Sequence, residues 1–159
     1  MLSLEKLHSK LSNILSYMAI SLLMFSTILV FLGVIGRYAF GVSFQWVEEI
    51  SRYTVVYAVL LYVGPLIERN SHINMDFVFY KLPINAQRLL YIINSIIILV
   101  FSSYVLMEGI SWVSQLFKVG IHTNSGLFML WMPAIAVPIG FFIAIVYALI
   151  TIIRGIRNY

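Results

Sequence analysis

The chain has 159 residues, 62% of them hydrophobic and only 10% charged, with a formal net charge of +4 and no cysteine. Soluble domains carry about 25% charged residues, and a soluble fold of this length could not enclose so much apolar surface. The composition excludes a soluble globular domain, and the missing cysteine excludes disulfides and thiolate metal sites.

A bilayer core about 30 Å thick needs roughly 20 apolar helical residues to cross it. Residues 1–12 read as a short amphipathic lead, with Leu4, Leu7 and Leu11 at helical spacing, expected to lie along the inner headgroups. The uncharged run from Leu11 to Gly36 lies between Lys10 and Arg37 and predicts a first helix over about 13–38. It is too long for a secretory signal, so it reads as a retained span. Gly33 and Gly36 near its outer end would admit a neighbouring helix closely.

The second helix is the irregular one. Tyr53 to Ile67 is uncharged but too short to cross, and reaches membrane length only by extending back through Arg52, Glu49 and Glu48. Ser43 is a candidate N-cap, and carboxylates in the first turn suit the helix dipole, so the helix is expected over about 44–67, closed by Gly64 and Pro65. Residues 72–82 are too apolar for a free loop and too few to span, which predicts an interfacial helix on the cytoplasmic face ended by Pro83.

A third helix is expected over about 87–108, followed by an outer loop at 109–128 in which Trp112 and Phe117 join an aromatic belt. The fourth is expected over about 129–153, with Pro133 in its first turn and Pro138 kinking it by depriving the carbonyl of Ala134 of a partner. The resulting fold class is an all-α integral membrane protein with four transmembrane helices and a short interfacial helix. Lys and Arg number seven on the side holding both termini and the middle loop, against Arg37, Arg52 and Lys118 on the other. By the positive-inside rule both termini are cytoplasmic. The basic balance reflects topology and anionic lipid, with no reason to invoke nucleic acid.

The densest polar cluster within a membrane-bound part of the chain comprises Arg37, Tyr38, Ser43, Gln45, Trp46, Glu48, Glu49 and Arg52. Ionisable groups in a span normally pair or face water. Glu48 and Arg52 stand at i,i+4 and Glu49 and Arg52 at i,i+3, while Arg37 ends the preceding helix close by. Two readings stay open: interfacial anchors that snorkel to the headgroups, or a buried ionic lock fixing the second helix against the first or against a partner. His8, His72 and His122 fall in loops or helix ends, which does not suit haem ligation; capping or headgroup contact is the simpler role for His72. Glu108 reads as an anchor at a helix end. No nucleophile with a base, phosphate-binding glycine loop or zinc-spaced set occurs, so no enzymatic activity is expected.

The string Arg37-Tyr38-Ala39-Phe40, then Ser43, Trp46, Glu48-Glu49 and Arg52, followed by Gly64 and by His72-Ile73 with Asp76, resembles a known family. It is similar to the small membrane subunit, DctQ type, of the tripartite ATP-independent periplasmic (TRAP) transporters. The pattern RYxFxxSxxWxEExxR with a downstream HIxxD covers residues 37–76, and the four-span layout extends the likeness along the chain.

The resemblance implies a multi-pass protein of the bacterial inner membrane. Its partners would be a large membrane subunit, which carries substrate and sodium, and a soluble periplasmic substrate-binding protein. The small subunit would pack against the fixed scaffold of the large one and hold no cofactor, with sodium bound in the large subunit. On that likeness Arg37, Tyr38, Ser43, Trp46, Glu48, Glu49 and Arg52 are structural and interface groups near the periplasmic face, while His72 and Asp76 order the cytoplasmic loop. Organic acids such as sialic acid or C4-dicarboxylates are the implied substrates. Two alternatives are a self-contained homodimeric four-helix transporter and a cofactor-bearing oxidoreductase anchor. The first predicts an acidic residue within helix 1 and the second helix-embedded histidines; Leu11 to Gly36 has no acid, and no span holds a histidine.

Overall fold

A computed structural model describes residues 2–68 and 83–157, and among these the chain is helical with no strand. Helix α1 spans Leu2–Phe40, α2 Gln45–Glu68, α3 Ile84–Val119, α4 Trp131–Ala134 and α5 Ala136–Arg157. Among the described residues four stretches are long and apolar enough to cross a membrane: Ser9–Phe40, Gln45–Ile67, Ile92–Val119 and Trp131–Ile153, the last made by α4 and α5 together. The expected interfacial segment 72–82, with His72 and Asp76, lies outside the described residues.

Several helix ends differ from the sequence expectation, each for a local reason. The amphipathic lead is continuous with α1, since no proline or glycine separates it from the span. Helix α2 carries Pro65 internally and runs on to Glu68; a proline so near the end removes only the bond to the carbonyl of Leu61. Helix α3 continues well past Glu108. Gly109 does not break it, because the missing side chain is where α3 meets α5: an added Cβ would lie 3.3 Å from Val137 Cγ1. The helix stops instead at Gly120, whose φ of 67° takes the left-handed conformation while its N–H bonds the carbonyl of Leu116 at 3.0 Å. Pro138 offers no N–H to the carbonyl of Ala134, and the fourth span breaks just there, at Ile135.

The spans pack in the order α1, α2, α5, α3, so α2 and α5 are central and α1 and α3 form the edges. Each edge helix buries one narrow seam. In α1 that seam is Ser12, Ala19, Ser26 and Gly33 at seven-residue intervals, with Leu15, Leu22 and Leu29 between them. In α3 it is Ser95, Ser102, Gly109 and Leu116 at the same interval. A period of 3.5 keeps such a seam facing one partner along its length.

The central contact is closer. Ala136, Gly140, Ala144 and Ala148 recur every fourth residue of α5 and are all buried. A Cβ added at Gly140 would lie 2.6 Å from Leu60 Cβ, and one at Gly64 2.7 Å from Ile143 Cγ2. Without a hydrophobic force between helices in lipid, such close backbone approach supplies the packing energy. Hydrogen bonds tie the layer further: Ser26 Oγ donates to the carbonyl of Ser51 at 2.9 Å, and Tyr57 Oη to that of Met132 at 2.8 Å.

Candidate functional site

The connections α1–α2 and α3–α4 lie together at one end of the layer, called here the loop end. Gly41, with φ 66°, lets the chain leave α1, and the N–H of Val42 returns to the carbonyl of Gly36 at 3.1 Å, closing a seven-residue turn at the helix end. The turn is short, so the last turn of α1 faces the first turn of α2. Arg37 thereby reaches both Ser43 Oγ, at 3.3 Å, and the carboxylate of Glu48, with which it forms an ion pair. The pair is half exposed, at 53% and 54% of the two side chains. Ser43 spends its hydroxyl on Arg37, and among the described residues it does not cap α2.

Glu49 follows Glu48 by one residue, about 100° around the helix, and so faces a different neighbour. It is buried, with 6% of its surface accessible. Its carboxylate accepts from the backbone N–H of Ser125 at 3.2 Å and from the Ser125 hydroxyl, which is itself 3.3 Å from Thr123 Oγ1. Ser125 belongs to a small hairpin. The N–H of Thr123 bonds the carbonyl of Phe128 at 2.8 Å, the N–H of Leu130 that of Ile121 at 2.9 Å, and His122 bridges Met129. The N–H of Gly126 closes a turn on the carbonyl of Thr123 at 2.8 Å, with Gly126 at φ 72°. Glu49 therefore seats this turn on the start of α2.

The i,i+3 and i,i+4 pairs expected with Arg52 do not form. Glu48 pairs with Arg37, Glu49 with Ser125, and Arg52 is exposed with no salt bridge or hydrogen bond among the described residues. Tyr38 is 85% exposed and joins none of these charges. Trp46 is also exposed and lies against Phe44, ring centroids 6.0 Å apart. Ser125 and Thr123 had no local signature in the sequence, being 76 residues from Glu49 in the first case. The hairpin's hydroxyls matter only because the fold brings them to a carboxylate. Glu108, expected at a helix end, lies well inside α3 with its side chain exposed. This arrangement ties helices to loops; it presents no reacting group to a substrate.

Residues 26–158 match the family described as tripartite ATP-independent periplasmic transporters, DctQ component. The chain belongs to the DctQ family. A TRAP transporter small permease protein of Haemophilus influenzae is 33% identical over 103 residues, covering 65% of this chain and 63% of that protein's length. The ectoine TRAP transporter small permease protein TeaB of Halomonas elongata is 25% identical over 156 residues, covering 98% of this chain and 79% of TeaB. The DctQ family is one of transporter subunits, so its members act within a tripartite assembly and not as enzymes.

Proposed function

We propose that this chain is the scaffold of its transporter. It holds the fixed part of a large membrane subunit in place, helps position a periplasmic substrate-binding protein, and carries no substrate itself. The observation that carries this reading is the closure of the central contact: a Cβ at Gly140 would strike the Cβ of Leu60 in α2, and one at Gly64 the side chains of Ile143 and Tyr147 in α5. A carrier needs a lined path between its helices, and here the middle of the layer is filled. The edges, by contrast, are open, with most side chains of the α1 and α3 spans exposed outside one seam each.

The excess of Lys and Arg on the side of the termini supports a cytoplasmic location for both ends and a periplasmic one for the loop end, in a bacterial inner membrane. On this reading the substrate is an organic acid, sialic acid or a C4-dicarboxylate, taken up with sodium bound in the large subunit. Co-expression of the tagged chain with a large TRAP membrane subunit tests the scaffold role. A stoichiometric complex that transports only when both chains are present is the expected result; transport by the chain alone as a homodimer would overturn it.

A further inference from the structure

Helix α3 has two seams. One is the buried run through Ser95, Ser102, Gly109 and Leu116 that packs on α5. The other begins one residue earlier, with Asn94, Ile97, Phe101, Tyr104, Glu108, Ser111, Gln115 and Lys118 following in alternating steps of three and four. Every one of these side chains is exposed, and six of the eight are polar or charged. A 3.5-residue period runs straight along one face of a helix and is the spacing by which one helix grips another.

Glu108 is the centre of this second seam. Its neighbour Gly109 abuts Val137 and Pro138, and Pro138 stands inside the span Trp131–Ile153 by about 10 Å at 1.5 Å per residue. A lysine or arginine can carry its charge back over such a depth along a long stem; a glutamate, with two methylenes, cannot. Glu108 has no salt bridge or hydrogen bond among the described residues. Among the described residues the side chains of Ser111 and Gln115 hydrogen-bond only with each other, Gln115 Nε2 donating to Ser111 Oγ at 3.5 Å. An exposed carboxylate at this depth is costly in hydrocarbon unless a protein group covers it.

The other edge is different in kind. The outward face of α1 holds Ile14, Met18, Phe25 and Phe31, and its hydroxyls at Ser21 and Thr27 are satisfied by the carbonyls of Tyr17 and Leu23 in their own helix, at 2.8 and 2.9 Å. Lipid can cover that face without leaving a polar group bare.

We infer that the polar seam of α3 is the surface that grips the large membrane subunit, through a transmembrane helix that sets a cationic side chain against Glu108. The inference rests on the scaffold reading above and names the edge and the group that serve it. A second copy of this chain is the wrong occupant: a two-fold contact along α3 places Glu108 opposite Glu108, and like charges there repel. A lipid tail offers neither charge nor donors.

The chain contains no cysteine, so an introduced cysteine is the one place on this chain where a thiol-reactive photo-crosslinker attaches, and the cysteine-free chain labelled in parallel gives the background. Ser111→Cys and Phe31→Cys, each labelled with a benzophenone maleimide in membranes holding the co-expressed large subunit, compare the two edges. Crosslinks to the large subunit from position 111 and none from 31 are expected. Glu108→Gln should lower the large subunit recovered with the tagged chain about tenfold, while the chain's own helicity and thermal midpoint are unchanged. Crosslinks from position 31 alone, from 111 only to lipid or to a second copy, or full recovery with Glu108→Gln, overturn the inference and leave the scaffold reading standing. Failure to recover any complex from the unsubstituted chain overturns both.

Discussion

The buried carboxylate of Glu49 accepts hydrogen bonds from both the backbone N–H and the hydroxyl of Ser125, fastening the α3–α4 hairpin to the first turn of α2. Losing the carboxylate strands two donors at once, whereas losing the Ser125 hydroxyl leaves the backbone bond intact. Amide exchange over residues 121–130 should therefore quicken about tenfold or more in Glu49→Ala, less in Glu49→Gln, and least in Ser125→Ala. Mass-spectrometric hydrogen exchange in detergent reads this order. Equal exchange in all three would mean that the hairpin holds itself.

Arg37 and Glu48 are half exposed, and an ion pair in that position contributes about 1 kcal/mol or less and weakens with salt. Arg37→Gln and Glu48→Gln should each shift the thermal midpoint only slightly, and the shift should shrink at high ionic strength. Arg52→Gln should leave the isolated chain's stability unchanged, since Arg52 has no ionic partner within the described residues. A large loss from Arg52→Gln in the isolated chain would count against this assignment of partners.

The four spans were legible because apolar run length is set by the bilayer, and α2 does reach crossing length by including Glu48, Glu49 and Arg52. The partners of those charges were not legible. Helical spacing offers Arg52 to both carboxylates, but spacing carries no information about Ser125, which the fold brings in from 76 residues away. The end of α3 was misplaced for a related reason: Glu108-Gly109 resembles a helix terminus until Val137 and Pro138 are seen to occupy the space that glycine leaves. The central contact also has a signature in the sequence. Ala136, Gly140, Ala144 and Ala148 stand at four-residue spacing, the mark of a close helix contact, whereas the glycines singled out, Gly33 and Gly36, lie at the less crowded α1–α2 contact.

Ser26 and Ser51 make a testable link between α1 and α2, with the hydroxyl of the first donating to the carbonyl of the second at 2.9 Å. Both residues are buried. Interhelical hydrogen bonds of this sort in membranes contribute about 0.6 kcal/mol and rarely more than about 1.7. Ser26→Ala should cost that amount in reversible unfolding in mixed micelles. Ser21→Ala, which removes only a bond to the helix's own Tyr17 carbonyl, should cost nothing measurable.

The contact of Gly140 with Leu60 offers the sharpest test of the central packing. A Cβ at position 140 would meet Leu60 Cβ at 2.6 Å, Cδ2 at 3.1 Å and Cγ at 3.2 Å, so the clash falls on the root of the leucine and not on a movable tip. Rotating Leu60 cannot relieve it, and the helices must separate. Gly140→Ala should therefore destabilise the chain by about 1–3 kcal/mol, the usual range for overpacking, despite alanine being the better helix former. Gly33→Ala meets only the tip of Val47, at 3.2 Å, and should be tolerated better. Leu60→Ala retains the Cβ that Gly140→Ala strikes, whereas Leu60→Gly removes it. The double variant Gly140→Ala with Leu60→Gly should therefore regain part of the loss expected from adding the two single effects, while Leu60→Ala regains less. Unfolding midpoints of the three single and two double variants complete both cycles, and strict additivity throughout would show that the two helices are not in contact at this point.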